Sequence, residues 1–572
     1  MFSSANVRVF LWALLAFAFY VCYTTWQLDY PPPVVAPVTA TTGNLGNTLP
    51  PATGAAAPAA AAPTAATPGA TAAPATSSAA AAQAPGAVAA VADAPTVHVL
   101  TDVLDVVVSL AGGELRQADL LDYHVKKGEP ALVRLLNRDS PETLYVLQSG
   151  LLAPNGAAAP THLATFTASS SEVRLASGQD SVTLPLTWTN GEGVTVTKTY
   201  TFRRGSYEVG LDYQVQNAGS AAWSYASYAQ LLRENVPIER SYFKPDSISF
   251  KGPAYFDGGK YQKLPLDKKD SQIDLPVTGG WVAALQNHFV AAIIPQAGAS
   301  YRYTLKAQGN QFLLSATGAT QQVAPGATAT QSEKLFIGPK LQSQLQTAGP
   351  QLYRVADYGK LTIIAQPLFS LLNFSHSLVG NWGWAIILAT LALKLLFYPL
   401  SEASGKSMAK MKALAPRLKN LQETYKDDRE KLAKAQMEMY RKEKVNPAAG
   451  CLPMLIQLPV FLAFYWVLFE SVEMRQAPWM GWISDLSSRD PFFILPVLMA
   501  TANFVQFKLN PQVGTDPVQQ KIFMLMPLIM SATLAFFPSG LVLYWVTNTV
   551  LGILQQWNIN RRITAAAAKT RS

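Results

Sequence analysis

The chain has 572 residues, 49% of them hydrophobic and only 14% charged, with a formal net charge of +9. So few charges over such a length exclude an ordinary soluble protein and fit two or three domains, part of them in lipid. No window has the pattern of a nucleic-acid module, so the basic excess reads as membrane topology rather than nucleic-acid recognition.

Val9 to Leu28 is a run of 20 residues without a charged side chain, preceded by Arg8. About 20 apolar residues cross a bilayer, and the bulky "FYVCYTTWQ" offers no small-residue cleavage site. Residues 1–29 are therefore expected to be an uncleaved transmembrane anchor with its N-terminus in the cytoplasm. Tyr30 to Ala92 has no Asp, Glu, Lys or Arg and is mostly Ala, Pro, Thr and Gly. Such a composition cannot build a core, so residues 30–95 are expected to be a disordered tether, spanning roughly 45 Å on average.

From Thr96 the texture changes. "SVTLPLTWTNGEGVTVTKTYTF" alternates Val182, Leu184, Leu186 and Trp188, turns at Asn190-Gly191, and resumes through Val194, Val196, Lys198, Tyr200 and Phe202. That is a hairpin, and "YEVGLDYQVQN" adds another strand of period two. Short strands and turn signals over residues 96–345 predict one large β-sandwich, placed in the periplasm by the preceding anchor.

The remainder reads as membrane. Residues 346–380 contain "LTIIAQPLFSLLNF", interrupted by Pro367, and predict an interfacial amphipathic helix. Spans are predicted at 381–400, 450–470, 491–508, 521–537 and 540–559, with loops at 471–490 and 509–520. Only "PSG" at Pro538, Ser539 and Gly540 parts the last two. Residues 401–449 carry 12 Lys/Arg against seven Asp/Glu, whereas Ser471–Arg489 has only Arg475 and Arg489 as basic residues. The tail 560–572 is basic. With six spans every basic segment falls in the cytoplasm, and both termini with it. Within 401–449, Met408, Met411, Leu414, Leu418, Leu421 and Tyr425 share a helical spacing, and Asp428 is placed to cap a second helix through Leu432, Gln436, Met439 and Tyr440. This predicts a cytoplasmic helical hairpin. Cys22 and Cys451 then lie near opposite membrane faces, so neither a disulfide nor a metal site is expected.

Lys394 is the residue out of place. Trp382 to Leu393 is only 12 residues, about 18 Å, too short to cross roughly 30 Å of hydrocarbon. The predicted spans at 452–469, 491–507, 522–537 and 540–560 hold no carboxylate partner. A charge at membrane depth then snorkels to the interface or faces water. Thr390, Gln457, Asn503, Gln506, Thr547 and Asn548 are polar groups able to line the same cavity or to bond helices to one another. Pro453 and Pro459 bracket Gln457, and Met454, Met526 and Met530 offer adaptable apolar surface or ordinary packing.

"FYPLS", "KMKALAPRLKNLQETY", "KVNPAAGCLPMLIQLPVFLAFYWVLFESVEMRQAPWMGWISDLSSRDPFFILPVLM", "TDPVQQKIFMLMPLIM" and "FFPSGLVLYWVTN" together resemble the YidC membrane protein insertase family of Gram-negative bacteria. The resemblance covers about Tyr353 to Arg562. It implies an α-helical bundle, an anchor plus five-helix core, around a hydrophilic groove open to the cytoplasm and lipid and closed to the periplasm. It implies no catalysis and no cofactor. Nascent membrane proteins are the implied substrates, with the translating ribosome, the Sec translocon with its accessory subunits, and the lipid bilayer as partners. Lys394 stands where the family has an arginine on the first core helix, keeping the charge without the planar five-donor fork. Gln457 and Pro459 fall on the helix that touches substrates, and Met454, Leu458, Met526, Met530, Tyr544 and Trp545 join Pro459 as candidate contacts. The short tail argues against strong ribosome docking through it. Two other classes stay open. A small-solute transporter or channel would need intramembrane carboxylates, which are missing from the predicted spans. A membrane-anchored periplasmic carbohydrate-binding or -modifying protein would have to use His98, His124, His162 or His288, which are scattered.

Overall fold

The computed structural model describes residues 45–51, 94–154, 157–235, 249–266, 272–356, 358, 361–425, 428–443, 452–509 and 517–569. The expected anchor at 1–29, and most of the tether, lie outside these. The chain forms two units, one from residues 39–237 and 250–355, the other from 238–249 and 356–572.

The first unit is a β-sandwich of an eleven-stranded and an eight-stranded sheet. The strands Ser181–Thr189 and Val194–Arg203 pair antiparallel, with Val182 opposite Phe202 and Trp188 opposite Val196. Period two carries Val194, Val196, Tyr200 and Phe202 into the core, and it carries Lys198 in with them, fully buried. The lysine survives there because its three donors are all used: Nζ donates to the carbonyls of Gly113 at 2.9 Å, Ser149 at 3.0 Å and Gly112 at 3.1 Å. Burial still pulls its pKa down to about 7, opposed by Glu114 and Glu333. Helix α1 (Gln342–Ala348) packs its Leu345 and Ala348 into this core.

One part of the expected tether is ordered. Leu45–Asn47 make a 3-10 turn, with Leu45 packed against Val146, Leu232 and Leu313 of the β-unit. Composition averaged over 63 residues conceals one leucine whose neighbours supply usable backbone carbonyls.

The second unit is helical: α2 (Thr362–Val379), α3 (Trp382–Leu396), α4 (Tyr398–Ala413), α5 (Ala415–Thr424), α6 (Arg429–Lys442), α7 (Leu452–Glu470), α8 (Ile494–Leu509), α9 (Pro517–Leu534) and α10 (Ser539–Lys569). Small residues at the crossings, Ala365, Ala385, Ala389 and Ala463, let the backbones approach around Phe464, Met499, Leu541 and Tyr544. Among the described residues no single helix is long and apolar enough to cross a membrane; the pair Trp382–Leu396 and Tyr398–Met408, bent by 61°, passes that test together.

Several expected elements are redrawn. Helix α2 continues through Pro367 instead of breaking, because the bond lost is to Ile363 in the first turn. The span expected at 381–400 stops at Leu396 and turns at Phe397, where Pro399 has no N–H to bond back to Leu395. The first arm of the expected hairpin is two helices, α4 and α5, parted at Leu414 just before Ala415-Pro416. Asp428 accepts from the Lys431 backbone N–H at 3.0 Å and caps α6, and Arg417 near the start of α5 meets Glu443 beyond the end of α6 at 2.6 Å. The turn at Asn446-Pro447 lies outside the described residues.

The stretch 471–490, expected only as a loop, is a folded cap on the bundle. Met474, Ile483 and Leu486 are buried in the helical core. Asp485 accepts from the backbone N–H groups of Gln476 and Ser487 and from the hydroxyls of Ser487 and Ser488. Asp490, fully buried, accepts from Trp482 Nε1, from Phe492 N and from Leu495 N, the last at 2.7 Å, which anchors the start of α8. The α9–α10 turn ties into it: Ser539 N donates to Ser488 O at 2.7 Å and Gly540 N to Leu486 O at 2.9 Å.

Candidate functional site

Below this cap the helices turn polar groups towards one another. Helix α10 packs against both α3 and α8. Lys394 sits in the last turn of α3 and Gln506 in the last turns of α8. Their Nζ and Nε2 lie 3.5 and 3.6 Å from the point where a Cβ on Gly552 of α10 would stand. Gly552 thus leaves the room in which a charge and an amide from two other helices meet. Among the described residues no carboxylate is within ion-pair distance of Lys394.

Along α10, Asn548, Gly552 and Gln555 fall at i, i+4 and i+7, one stripe down the same face. Gln555 Nε2 is buried with no hydrogen-bond partner among the described residues. Gln457, Gln506, Thr547 and Asn548 are half-buried and make no side-chain hydrogen bond among the described residues. An orphaned buried amide in an apolar bundle is costly, and water or a passing polar chain would satisfy it.

The other polar candidates are placed differently. Thr390 is buried and donates to Ile386 O of its own helix at 2.6 Å. Asn503 joins helices: its Nδ2 donates to Ser531 Oγ of α9 at 3.3 Å, and Thr549 Oγ1 of α10 donates to its Oδ1 at 3.5 Å. Tyr544 is buried between Phe461, at 5.8 Å between ring centroids, and Phe464, at 4.6 Å, while Trp545 meets Phe461 edge-on. Leu458 is more than half exposed, and Pro459 and Met530 are half-buried. The side chains of Met454 and Met526 lie outside the described residues.

Of the residues singled out from the sequence, the structure brings Lys394 and Gln506 together at Gly552; Gly552, Gln555 and Ser531 were not singled out. A glycine or a serine in a helix carries no signal by itself. The i, i+4, i+7 spacing of Asn548, Gly552 and Gln555 was available to find the first two.

The sequence matches two families, the one described as the 60Kd inner membrane protein over residues 374–566 and the one described as the YidC periplasmic domain over residues 96–371. The "Membrane protein insertase YidC" of Thioalkalivibrio sulfidiphilus is 44% identical over 505 residues, covering 84% of this chain and 89% of that protein. The protein of the same name from Nitrosococcus oceani is 41% identical, covering 98% of this chain and 99% of its own. The chain belongs to the YidC family.

The YidC periplasmic-domain match takes in the whole β-unit after residue 95, and the inner-membrane match takes in α3 to α9 and α10 as far as residue 566, with every residue of the polar site. A crystal structure of an active YidC insertase with its first transmembrane domain resolved is similar at 20% identity and TM-score 0.37, covering 80% of this chain and 92% of that one. Membership rests on the sequence matches.

Proposed function

We propose that this YidC-family chain inserts other proteins into the inner membrane by sheltering their polar segments beside Lys394, Gln506, Asn548, Gly552 and Gln555. The observation that carries the proposal is the meeting of Lys394 and Gln506 over Gly552 with no carboxylate among the described residues at ion-pair distance from the lysine. Moving a polar or acidic tail through hydrocarbon is costly because the tail loses its water. A wet cleft at partial depth keeps the tail hydrated, and the ammonium attracts an acidic one.

The helix lengths shorten the path. Helix α3 has 15 residues and α8 has 16, about 22 and 24 Å, against roughly 30 Å of hydrocarbon. Lipid thins to meet short spans. Asn381 at the start of α3 meets the 471–490 cap while Lys394 lies in the last turn of that helix, so in this reading the cleft opens at the Lys394 end. Outward, Leu395, Leu396, Val497, Ile529, Leu554 and Trp557 are each more than half exposed, a surface suited to acyl chains and to a client helix leaving sideways. In this reading the chain crosses the membrane six times, with the β-unit in the periplasm and α4 to α6 and both termini in the cytoplasm. Clients arrive from the ribosome or the Sec translocon, and no covalent bond changes.

The test is insertion into vesicles of a single-span client with an acidic translocated tail. Lys394→Arg keeps the rate, while Lys394→Ala slows it roughly tenfold, the effect of about 1.4 kcal/mol of lost attraction, and Lys394→Glu slows it further. Equal insertion by all four forms would contradict the counter-charge role.

A further inference from the structure

The outer face of the eleven-stranded sheet carries three rows set by register. Leu232 lies opposite both Val146 and Leu313, Gln230 opposite both Gln148 and Ser315, and Tyr228 opposite both Gly150 and Thr317. The result across three strands is an apolar row, a row of two amides and a serine hydroxyl, and a row of two hydroxyls either side of a glycine. Residues 45–51, "LGNTLPP", lie on it. Leu45 fills the apolar row. The Gly46 carbonyl accepts from Gln148 Nε2 at 3.2 Å and from His162 Nε2 at 3.0 Å. The Thr48 carbonyl accepts from Gln230 Nε2 at 3.2 Å. Both glutamines are fully buried, and Gln230 Nε2 also donates to Gln148 Oε1 at 2.7 Å. The face therefore reads main-chain carbonyls, plus one leucine side chain, which is how a peptide-binding surface works.

Nothing in chain continuity puts the segment there, since residues 52–93 separate it from the first strand at Thr96. Its hold includes the buried Leu45, Gly46 and Pro50 and the three hydrogen bonds above, set against the ordering of seven residues. Those opposing terms are of similar size, which makes the contact releasable.

We propose that residues 45–51 are an internal peptide ligand of this face, and that their docking sets how far the β-unit can stand from the apolar N-terminal run. Fully extended chain spans at most about 3.5 Å per residue. With the segment docked, residues 29–44 bridge the two and reach at most roughly 55 Å; released, residues 29–95 reach at most roughly 230 Å. The docked segment is a short leash, and its release exposes a site for another peptide of the same kind, one leucine followed by accessible carbonyls.

The experiment is hydrogen exchange on the full-length protein in nanodiscs, with Leu45→Asp and Leu232→Asp as variants on the two sides of the contact. The wild type shows protection of 45–51 above that of 52–93, at least tenfold, lost in both variants while Trp223–Glu234 stays protected. Spin labels at Asp29 and Lys126, in a Cys22→Ser, Cys451→Ser background, give a distance distribution that broadens and lengthens in Leu45→Asp. A synthetic peptide of residues 43–52 then binds Leu45→Asp and not the wild type. Equal exchange of 45–51 and 52–93 in the wild type overturns the proposal, as does an unchanged distance distribution in Leu45→Asp. Protection that rises with protein concentration would assign the segment to a second copy and overturns the leash.

Discussion

Lys198 is buried and Lys394 half-buried, neither with a carboxylate at ion-pair distance among the described residues, and they are held in opposite ways. Three carbonyls take all of the donors of Lys198, so it is structural. Lys394 has an amide and a glycine for neighbours, so its donors are available to something that arrives. His162 shows the same accounting with a pH consequence. Its Nε2–H donates to Gly46 O, so Nδ1 is unprotonated and accepts from Tyr228 Oη at 2.6 Å. Burial pushes its pKa down to about 4 from 6.5, with Lys198 and Arg138 adding to the effect. Because the folded value is the lower one, the unfolded chain takes up the proton first, and stability falls as pH drops from about 6.5 to 4. The shift is worth ~3 kcal/mol. Urea midpoints of β-unit unfolding, followed by tryptophan fluorescence, should fall across that window in the wild type and much less in His162→Gln. A pH-independent midpoint would show that the ring is not held neutral.

At the scale of elements, strands and long helices were legible because each has its own period: Val194 to Phe202 named the inward face, and Met408 to Tyr425 named a helical stripe. The breaks were read less well. Pro416 parts α4 from α5 and Pro399 bends the run after α3, both local steric effects that a hydrophobic window averages away. The 471–490 cap was not legible at all, since its order comes from Asp485 and Asp490 gathering backbone donors rather than from periodicity. It meets α3 at Gly383, where a Cβ would stand 2.1 Å from Trp479 Cδ1, and Asn381 Nδ2 donates to the Pro478 and Trp479 carbonyls. Gly383→Val therefore has to lift Trp479 off α3. In detergent this variant should melt roughly 5 °C lower, with cysteines placed in 471–490 becoming reactive to a soluble maleimide. An unchanged melting temperature and unreactive cysteines would show that the close approach of Trp479 to Gly383 does not hold the cap on α3.

Taken as a whole, the chain joins a β-unit built on ordinary core burial to a helical unit that has an apolar core, a few polar groups among its helices, and large apolar side chains exposed outside. An apolar exterior of that kind suits a bilayer solvent, and low charge with a basic 401–449 pointed the same way. What no summed property carried was which polar groups face each other, because that depends on the rotation of three helices about their axes. Thr390 turned out to bond its own helix and Asn503 to join its neighbours, whereas Gln506 points to the open place at Gly552. The most direct test puts a photocrosslinking residue at Gln506, and at Thr390 as the control, against ribosome-bound chains of a short membrane protein stalled at increasing lengths. Crosslinks at Gln506, absent at Thr390 and beginning only once the client's apolar segment has emerged, are the result predicted here. Silence at Gln506 while the client still inserts would contradict the claim that clients pass beside Lys394.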